Sequence, residues 1–312
     1  QLLDGLSKID KPYQVKILHV TPDLYYRYLE GKEKRHIGHF FWETTKIPPE
    51  WVKSLNLMNE IWTGCRQTEH ALKNSGVHAP IFITPEPTSL DNLAKPFRIP
   101  QGEKFIFYSI FQWTYRKNPR SLLKAYWREF KADDNVLLLI KTFRKNSGRS
   151  EREVILKEIR HWAEEESLVY YPPIWFIGDV LTNSATERLH ATGHCYISSS
   201  RGEGWGLPLV DAMRYGHPCI SIRLNGVTEW FNEDNSYPVD WDYVSVYEEN
   251  WMKNYTADQE WAEPKIESLQ ARMREAYTNR ALFEKKSNQA NALISQFSFE
   301  AVGKIMKERL ES

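Results

Sequence analysis

Two acidic residues in the second half of the chain are spaced as if to bind a polar ligand. The stretch SRGEGWGLPLVDAMRYGHPCIS, residues 200–221, sets Glu203 in a glycine-rich loop and Asp211 eight residues later. Glycines permit positive φ and let a ligand approach the backbone closely. Glu203 could accept hydrogen bonds from sugar hydroxyls, and Asp211 could accept a pair of hydroxyls such as those of a ribose. Spacing alone equally allows a solvated loop residue at Glu203 and a helix-supporting one at Asp211.

The elements around these acids can be predicted from the same stretch. CYISSS, residues 195–200, predicts a buried strand before the loop, and Pro208 stands where the first residue of a helix belongs. Gly216 is expected to end that helix. A loop between the carboxyl end of a parallel strand and a helix is where doubly wound folds bind ligands. The free N–H groups of the helix start favour an anion, most often phosphate.

The whole chain alternates short apolar runs with amphipathic stretches, which predicts an α/β fold built on parallel sheets. We expect nine strands, at residues 15–20, 36–42, 60–64, 81–85, 104–110, 136–141, 174–178, 195–200 and 218–222. From residue 258 onward we expect almost only helix, and Ser298 is placed to cap the last one.

Composition narrows the classes of function. The formal net charge of the 312 residues is zero, which argues against non-specific binding to nucleic acid. The three cysteines show no metal-ligand spacing, and Cys195 and Cys219 are expected to be buried free thiols. This cysteine usage predicts a reducing compartment, and no apolar run reaches the roughly 18 residues of a membrane span. We therefore expect a cytoplasmic protein without a transmembrane segment, and attachment to a membrane surface stays open.

The acidic stretch resembles a known signature. GEGWGLPLVDAMRYGHPCI is similar to the acidic motif of family-four retaining glycosyltransferases of GT-B fold, with Glu203 as the first acid and Asp211 as a second acid that is one methylene shorter. FIFYSIFQWTYRKNPRSLLKAYWREF, residues 105–130, resembles the strand, basic loop and helix that open their C-terminal domain. There Lys117 matches a lysine that contacts the donor diphosphate, and Gln112 stands where a cation is common. Arg116 or Lys141 could supply the missing charge.

The resemblance implies sugar transfer from a nucleoside diphosphate to an acceptor hydroxyl, with retention of the anomeric configuration. ILHVTPDL resembles an N-terminal segment that carries a functional histidine, which makes His19 a candidate beside the transferred sugar. The implied catalytic residues are Glu203, His19 and Lys117. The implied donor-binding residues are Gly204, Trp205, Gly206, Leu207, Asp211, Gln112, Arg116 and Lys141. The amides of Trp205, Gly206 and Leu207, with Lys117, would stabilise the leaving diphosphate, so neither a metal nor a further cofactor is expected.

A proline-rich stretch, residues 86–102, lacks helical or strand periodicity and predicts a linker between two Rossmann-like domains. By the resemblance, residues 1–85 form an acceptor-side domain, and residues 103–297 form the nucleotide-sugar domain. The first is expected to be incomplete or reduced. An oligomer, an N-terminal segment absent from the sequence or the last helix, 298–312, could complete it.

Two other functions fit the same sequence: a nucleotide-sugar epimerase of similar fold and a non-catalytic nucleotide-sugar-binding subunit. The donor sugar, its base and the acceptor, whether glycan, lipid or protein, stay open.

Overall fold

The computed structural model describes residues 14–29, 35–90, 93–99, 103–145, 148–247 and 253–312. Its first part contains a four-stranded parallel sheet with strands in sequence order. These are β1 (Val15–Leu18), β2 (Arg35–His39), β3 (Glu60–Thr63) and β4 (Ile81–Ile83), with a 3-10 helix at Pro22–Arg27 and helices α1 (Pro49–Leu55) and α2 (Arg66–Asn74).

A six-stranded parallel sheet follows. Its strands are β5 (Phe105–Gln112), β6 (Val136–Phe143), β7 (Ile174–Ile177), β8 (Cys195–Ile197), β9 (Cys219–Ile222) and β10 (Tyr237–Val239). The connecting helices are α3 (Pro119–Glu129), α4 (Arg149–Glu165), α5 (Asn183–Thr192), α6 (Leu207–Arg214) and a 3-10 helix at Asn225–Glu229. The chain ends in α7 (Ile266–Thr278), α8 (Arg280–Ile294), a 3-10 turn at Ser295–Phe297 and α9 (Phe299–Glu311).

Strand order in the second sheet is β10-β9-β8-β5-β6-β7, so the direction of winding reverses between β5 and β8. Such a switch point leaves a crevice at the carboxyl ends of the two strands, where ligands bind in open α/β sheets. The two loops that leave this point are residues 113–118 after β5 and residues 198–206 after β8. Both carry residues that the sequence singles out.

Both faces of the second sheet are buried, as continuous apolar strands require. Along β5, Phe107 packs on the face covered by α3 and α4, whereas Tyr108 packs on the face covered by α6 and α8. The α/β fold with parallel sheets is therefore confirmed, and each of the nine predicted strands is present in whole or in part. Cys65, Cys195 and Cys219 are buried free thiols.

The prediction of almost continuous helix from residue 258 is wrong at one place. β12 (Glu260–Pro264) is a strand that pairs antiparallel with β11 (Trp241–Ser245). We call β11, β12 and the described residues between them the hairpin segment. It reaches the first sheet, because the Thr45 amide donates to the Glu260 carbonyl at 3.0 Å.

The last helix also contacts the first sheet. Ser298 caps α9 by accepting from the Ala301 amide at 3.1 Å, which confirms the predicted cap. Arg309 then donates to the Glu60 carboxylate of β3 at 2.6 Å, and its guanidinium lies 3.1 Å from the centre of the Phe82 ring. Within the described residues, no helix is long and apolar enough to cross a membrane.

Candidate active site

The predicted strand, loop and helix around residues 195–216 are present. Helix α6 begins at Leu207, one residue before Pro208, and Gly206 precedes it with a φ of 84°. Gly216 follows the helix end with a φ of 72°. These two left-handed positions favour glycine because a side chain there would strain the backbone.

The switch point brings Lys117 and Glu203 into direct contact. The Nζ atom of Lys117 lies 2.6 Å from Oε1 and 2.7 Å from Oε2 of Glu203, although the two residues are far apart in sequence. Lys117 comes from the loop before α3, and Glu203 comes from the loop before α6. Both side chains are at most 15% exposed, so little water screens the pair.

Burial and charge oppose each other at this pair. Burial by itself would raise the pKa of Glu203, but the cations of Lys117 and Arg116 and the hydrogen bonds to the carboxylate lower the pKa below its ordinary value. Burial lowers the pKa of Lys117, and the neighbouring Glu203 carboxylate works against that shift. The carboxylate is therefore ionised at neutral pH and acts as the counter-charge of Lys117.

Arg116 extends this pair toward the first sheet. Its Nη1 donates to the Gly202 carbonyl at 2.5 Å and lies 3.8 Å from Glu203 Oε2. Its Nη2 lies 3.5 Å from Oε1 of Glu43, a residue that follows β2. The result is a chain of alternating charge across the two sheets, from Lys117 through Glu203 and Arg116 to Glu43.

The start of α6 offers donors beside the same carboxylate. Within the part of the chain that the structure describes, the amides of Trp205, Gly206 and Leu207 donate to no backbone or side-chain group. Further along the helix, Asp211 accepts from the Thr88 hydroxyl at 2.9 Å, and burial raises its pKa. Since Thr88 lies in the stretch between the two sheets, that stretch holds the second acid of the motif.

The remaining predicted donor-binding residues of the loop differ in how they are packed. Trp205 is buried, with its ring 5.4 Å from that of Phe297. A Cβ on Gly204 would lie 2.7 Å from Cβ of Phe41, so the loop lies directly against the segment after β2. Leu207 is exposed at the helix start.

His19 lies at the carboxyl end of the first sheet. Its ring is 4.6 Å from that of His39 and 6.3 Å from that of Phe41, the residue that packs against Gly204. Burial lowers the pKa of His39 to about 4, and His19 adds to the shift. The Nε2 atom of His39 is buried, and no described residue bonds to it.

Gln112 and Lys141 are not brought to the Glu203 pair by any hydrogen bond or ion pair among the described residues. Gln112 donates to the Arg144 carbonyl at 2.9 Å. Lys141 pairs with Ile110 in register, lies 4.7 Å from the centre of the Phe143 ring, and has its pKa lowered by burial. Both residues lie at the ends of β5 and β6, next to the switch point.

Sequence reasoning missed Glu43 and Tyr255, which join this site from outside the motif. The Tyr255 hydroxyl, from the hairpin segment, donates to Glu43 Oε2 at 2.8 Å. A carboxylate directly after a predicted parallel strand was a usable signal for Glu43. Tyr255 carried no such signal, because its segment has no motif. Among the described residues, no group of three or more histidines, cysteines and acids could hold a metal ion.

Solved structures share this fold. A TarM variant of S. aureus in complex with fondaparinux, alpha-GlcNAc-glycerol and UDP gives a TM-score of 0.69 at 14% identity, covering 95% of this chain and 55% of TarM. HepE of Anabaena in complex with UDP and glucose gives 0.66 at 14% identity, covering 89% and 72%. Sucrose-phosphate synthase of Thermosynechococcus elongatus gives 0.72 at 13% identity, covering 99% and 75%. The chain thus spans about half the length of TarM, and the predicted GT-B fold is confirmed.

No curated protein matches the sequence significantly. Residues 102–244 match the family model described as Glycosyl transferases group 1. This range includes all six strands of the second sheet and contains Lys117, Glu203 and Asp211. Over these residues, a little under half of the chain, the sequence is similar to the group 1 glycosyl transferases.

Proposed function

We propose that this protein transfers a sugar from a nucleoside diphosphate to an acceptor hydroxyl, with retention of the anomeric configuration. The observation that carries the proposal is the buried Lys117–Glu203 pair at the switch point, next to the amides that precede and open α6. A cation and free amides suit a diphosphate, whereas the paired carboxylate suits the hydroxyls of a sugar.

In the proposed reaction, the bond between the anomeric carbon and the diphosphate oxygen breaks, and the acceptor oxygen forms the new bond to that carbon. The acceptor proton leaves with the nucleoside diphosphate. Negative charge grows on the leaving diphosphate, where Lys117 and the amides of Trp205, Gly206 and Leu207 would stabilise it electrostatically. We propose that these groups replace a metal ion, so the rate should not fall in EDTA.

Donor binding would rearrange the charges of the site. The diphosphate would take over as the counter-charge of Lys117, which releases Glu203 to accept hydrogen bonds from the transferred sugar. Asp211 would accept from the ribose in place of Thr88. His19 would approach the transferred sugar from the first sheet, and Gln112 and Lys141 would line the donor groove at the ends of β5 and β6.

Calorimetry with UDP and uridine tests the donor site, because TarM and HepE are known in complex with UDP. We expect Lys117→Ala to weaken UDP binding at least tenfold and uridine binding far less, since the lysine meets phosphate. Lys131→Ala, at an exposed position after α3, is the matched control. Equal losses for both ligands would contradict the assignment of Lys117.

A nucleotide-release assay with a panel of UDP-sugars then tests transfer. Release that depends on an added acceptor supports a transferase, and the anomeric configuration of the product by NMR tests retention. Conversion of the donor without any acceptor would instead indicate an epimerase. Donor binding without turnover across the panel would indicate a non-catalytic subunit.

A further inference from the structure

A cavity of about 690 Å³ lies between the carboxyl end of the first sheet and the hairpin segment. Volumes of this size hold small organic ligands. Its polar lining residues are His19, Thr21, Glu43, Lys253, Asn254 and Tyr255. Polar groups thus come from both sides of the cavity.

Glu43 connects this cavity to the Lys117–Glu203 pair. The carboxylate lines the cavity, and its Oε1 atom lies 3.5 Å from Arg116, which in turn lies 3.8 Å from Glu203. The backbone agrees, because a Cβ on Gly202 would lie 2.5 Å from the Glu43 carbonyl. A molecule that contacts Glu43 in the cavity would therefore lie close to the proposed transfer centre, because only the Arg116 side chain separates Glu43 from Glu203.

The cavity wall combines aromatic faces with hydrogen-bonding groups. Trp42 and Tyr255 stack with ring centres 5.2 Å apart and planes at 15°. Phe41 also lines the cavity, with its ring 6.3 Å from that of His19. A lipid chain in this space would desolvate Lys253 and Asn254 without giving them partners, which is costly. A sugar can satisfy those groups with its hydroxyls and lay its C–H face on the aromatic rings.

We propose that this cavity binds a saccharide acceptor and that Glu43 accepts a hydrogen bond from one of its hydroxyls. This inference rests on the proposed sugar transfer and names the class of acceptor. Tyr255 holds Glu43 through its hydroxyl and forms the aromatic wall, so the hairpin segment of the second half completes a site on the first.

Binding can be measured without any donor. The intact protein is applied to a broad glycan array, and the retained glycans are then titrated by saturation-transfer NMR. We expect Tyr255→Ala and Glu43→Gln to weaken glycan binding at least tenfold. Tyr247→Ala, a 70% exposed tyrosine of the same segment outside the cavity, should bind as the wild type does.

A second variant guards against loss of folding. Asn254→Trp fills the cavity at a partly exposed position and should abolish glycan binding while leaving the melting temperature close to that of the wild type. The proposal is overturned if no glycan is retained, if Asn254→Trp binds as the wild type does, or if vesicles of phosphatidylglycerol are bound in place of glycans. UDP calorimetry on the same samples reports the donor site separately, so failure of the transferase proposal is distinguishable.

Discussion

Lys117 and Glu203 illustrate why a buried ion pair is a poor device for stability alone. Taking two charges out of water costs several kcal/mol per ion, and their attraction repays this only with good geometry and further hydrogen bonds. Here Arg116 and Glu43 supply further charges of alternating sign. Each member of the pair could exchange its partner for a charged or polar group of a ligand. Hydrophobic residues of the same volume could not bind such a group.

Replacing Glu203 by glutamine should separate its proposed role in turnover from its role as the counter-charge of Lys117. Charge-assisted hydrogen bonds contribute about 1.5–3 kcal/mol each, so we expect turnover at saturating donor to fall at least tenfold. Because Lys117 would lose its buried counter-charge, we also expect a lower free energy of unfolding, by about 3–5 kcal/mol. Nucleotide release per folded molecule and denaturant unfolding measure the two effects.

Glu129→Gln is the matched control for Glu203→Gln. Glu129 also pairs with an arginine, Arg274 at 2.5 Å, and its side chain is only 16% exposed, but it lies at the end of α3 opposite to Lys117. Its loss should leave turnover unchanged. Full turnover in folded Glu203→Gln would rule out the proposed role of the carboxylate.

A functional residue could be predicted from the sequence where its neighbours in the sequence form a recognisable motif. Glu203, Lys117 and Asp211 stand in motifs that adjacent residues define, so they could be named without a structure. The contact of Glu43 with Arg116 joins residues that are 73 positions apart in the sequence, and only the fold brings them together. The same is true of Thr88 with Asp211.

Among the elements, β5, α5 and the start of β9 meet at three buried polar rings. The Tyr108 hydroxyl lies 3.1 Å from Nδ1 of His190 and 3.1 Å from Nδ1 of His217. Burial lowers the pKa of His190 to about 4, and burial together with His194 and His190 lowers that of His217 to about 3. Both imidazoles are therefore neutral in the folded protein at neutral pH.

These two histidines should make the fold sensitive to mild acid. Because their folded pKa values lie below the ordinary value of 6.5, their contribution is fully present above pH 6.5 and is lost as the pH falls toward 4 and 3. At pH 5 the lowered pKa of each histidine should reduce the free energy of unfolding by about 2 kcal/mol. His190→Asn and His217→Asn should each flatten the fall in urea midpoint between pH 6.5 and 5.

Two outcomes decide this prediction. His161→Asn, at an exposed position of α4, should keep the slope of the wild type. An unchanged slope in both His190→Asn and His217→Asn would show that other groups cause the acid sensitivity.

Helix α9 contacts the first sheet through Arg309, and Arg35 of β2 donates to the Leu310 carbonyl of α9 at 3.2 Å. The Glu60 carboxylate, 3% exposed, accepts from Arg309, Arg35 and the Trp62 indole. Arg309→Ala removes one of these charged partners and the contact with Phe82, so we expect a loss of about 1–3 kcal/mol in unfolding free energy. Lys307→Ala, whose 72% exposed side chain pairs with exposed Glu311, should change it by less than about 0.5 kcal/mol. Equal effects of the two substitutions would contradict the role of Arg309.

Helices and strands, like site residues, can be predicted from the sequence only where the signal is local. The nine predicted strands are apolar runs bounded by turn residues, and their burial on a parallel sheet needs no further information. The strand at Tyr237–Val239 is three residues long and exists because β9 offers an edge to pair with. Glu260–Pro264 has charged residues at two of its five positions and becomes a strand by pairing with Trp241–Ser245.

At the scale of the molecule, the two sheets meet through the glycine loop. Gly202 lies against the Glu43 backbone and Gly204 against Phe41, while the Arg66 amide donates to Glu229 at 3.0 Å on the other side. The cleft between the halves is therefore set by how closely this loop can approach the segment after β2. Side chains on the loop glycines would change that distance directly.

Gly202→Ala tests this contact. Its Cβ would lie 2.5 Å from a backbone carbonyl, which cannot rotate away as a side chain can, so the halves or the loop must shift. We expect the distance between Glu43 and Arg116 to grow, acceptor-dependent turnover to fall at least tenfold and the melting temperature to drop. Gly303→Ala, in α9 with no atom within 4 Å of the added carbon, should instead stabilise the helix by about 0.5–1 kcal/mol and leave turnover unchanged. If Gly202→Ala kept full turnover and melted as the wild type does, the approach of the two halves at this loop would not be what sets the active geometry.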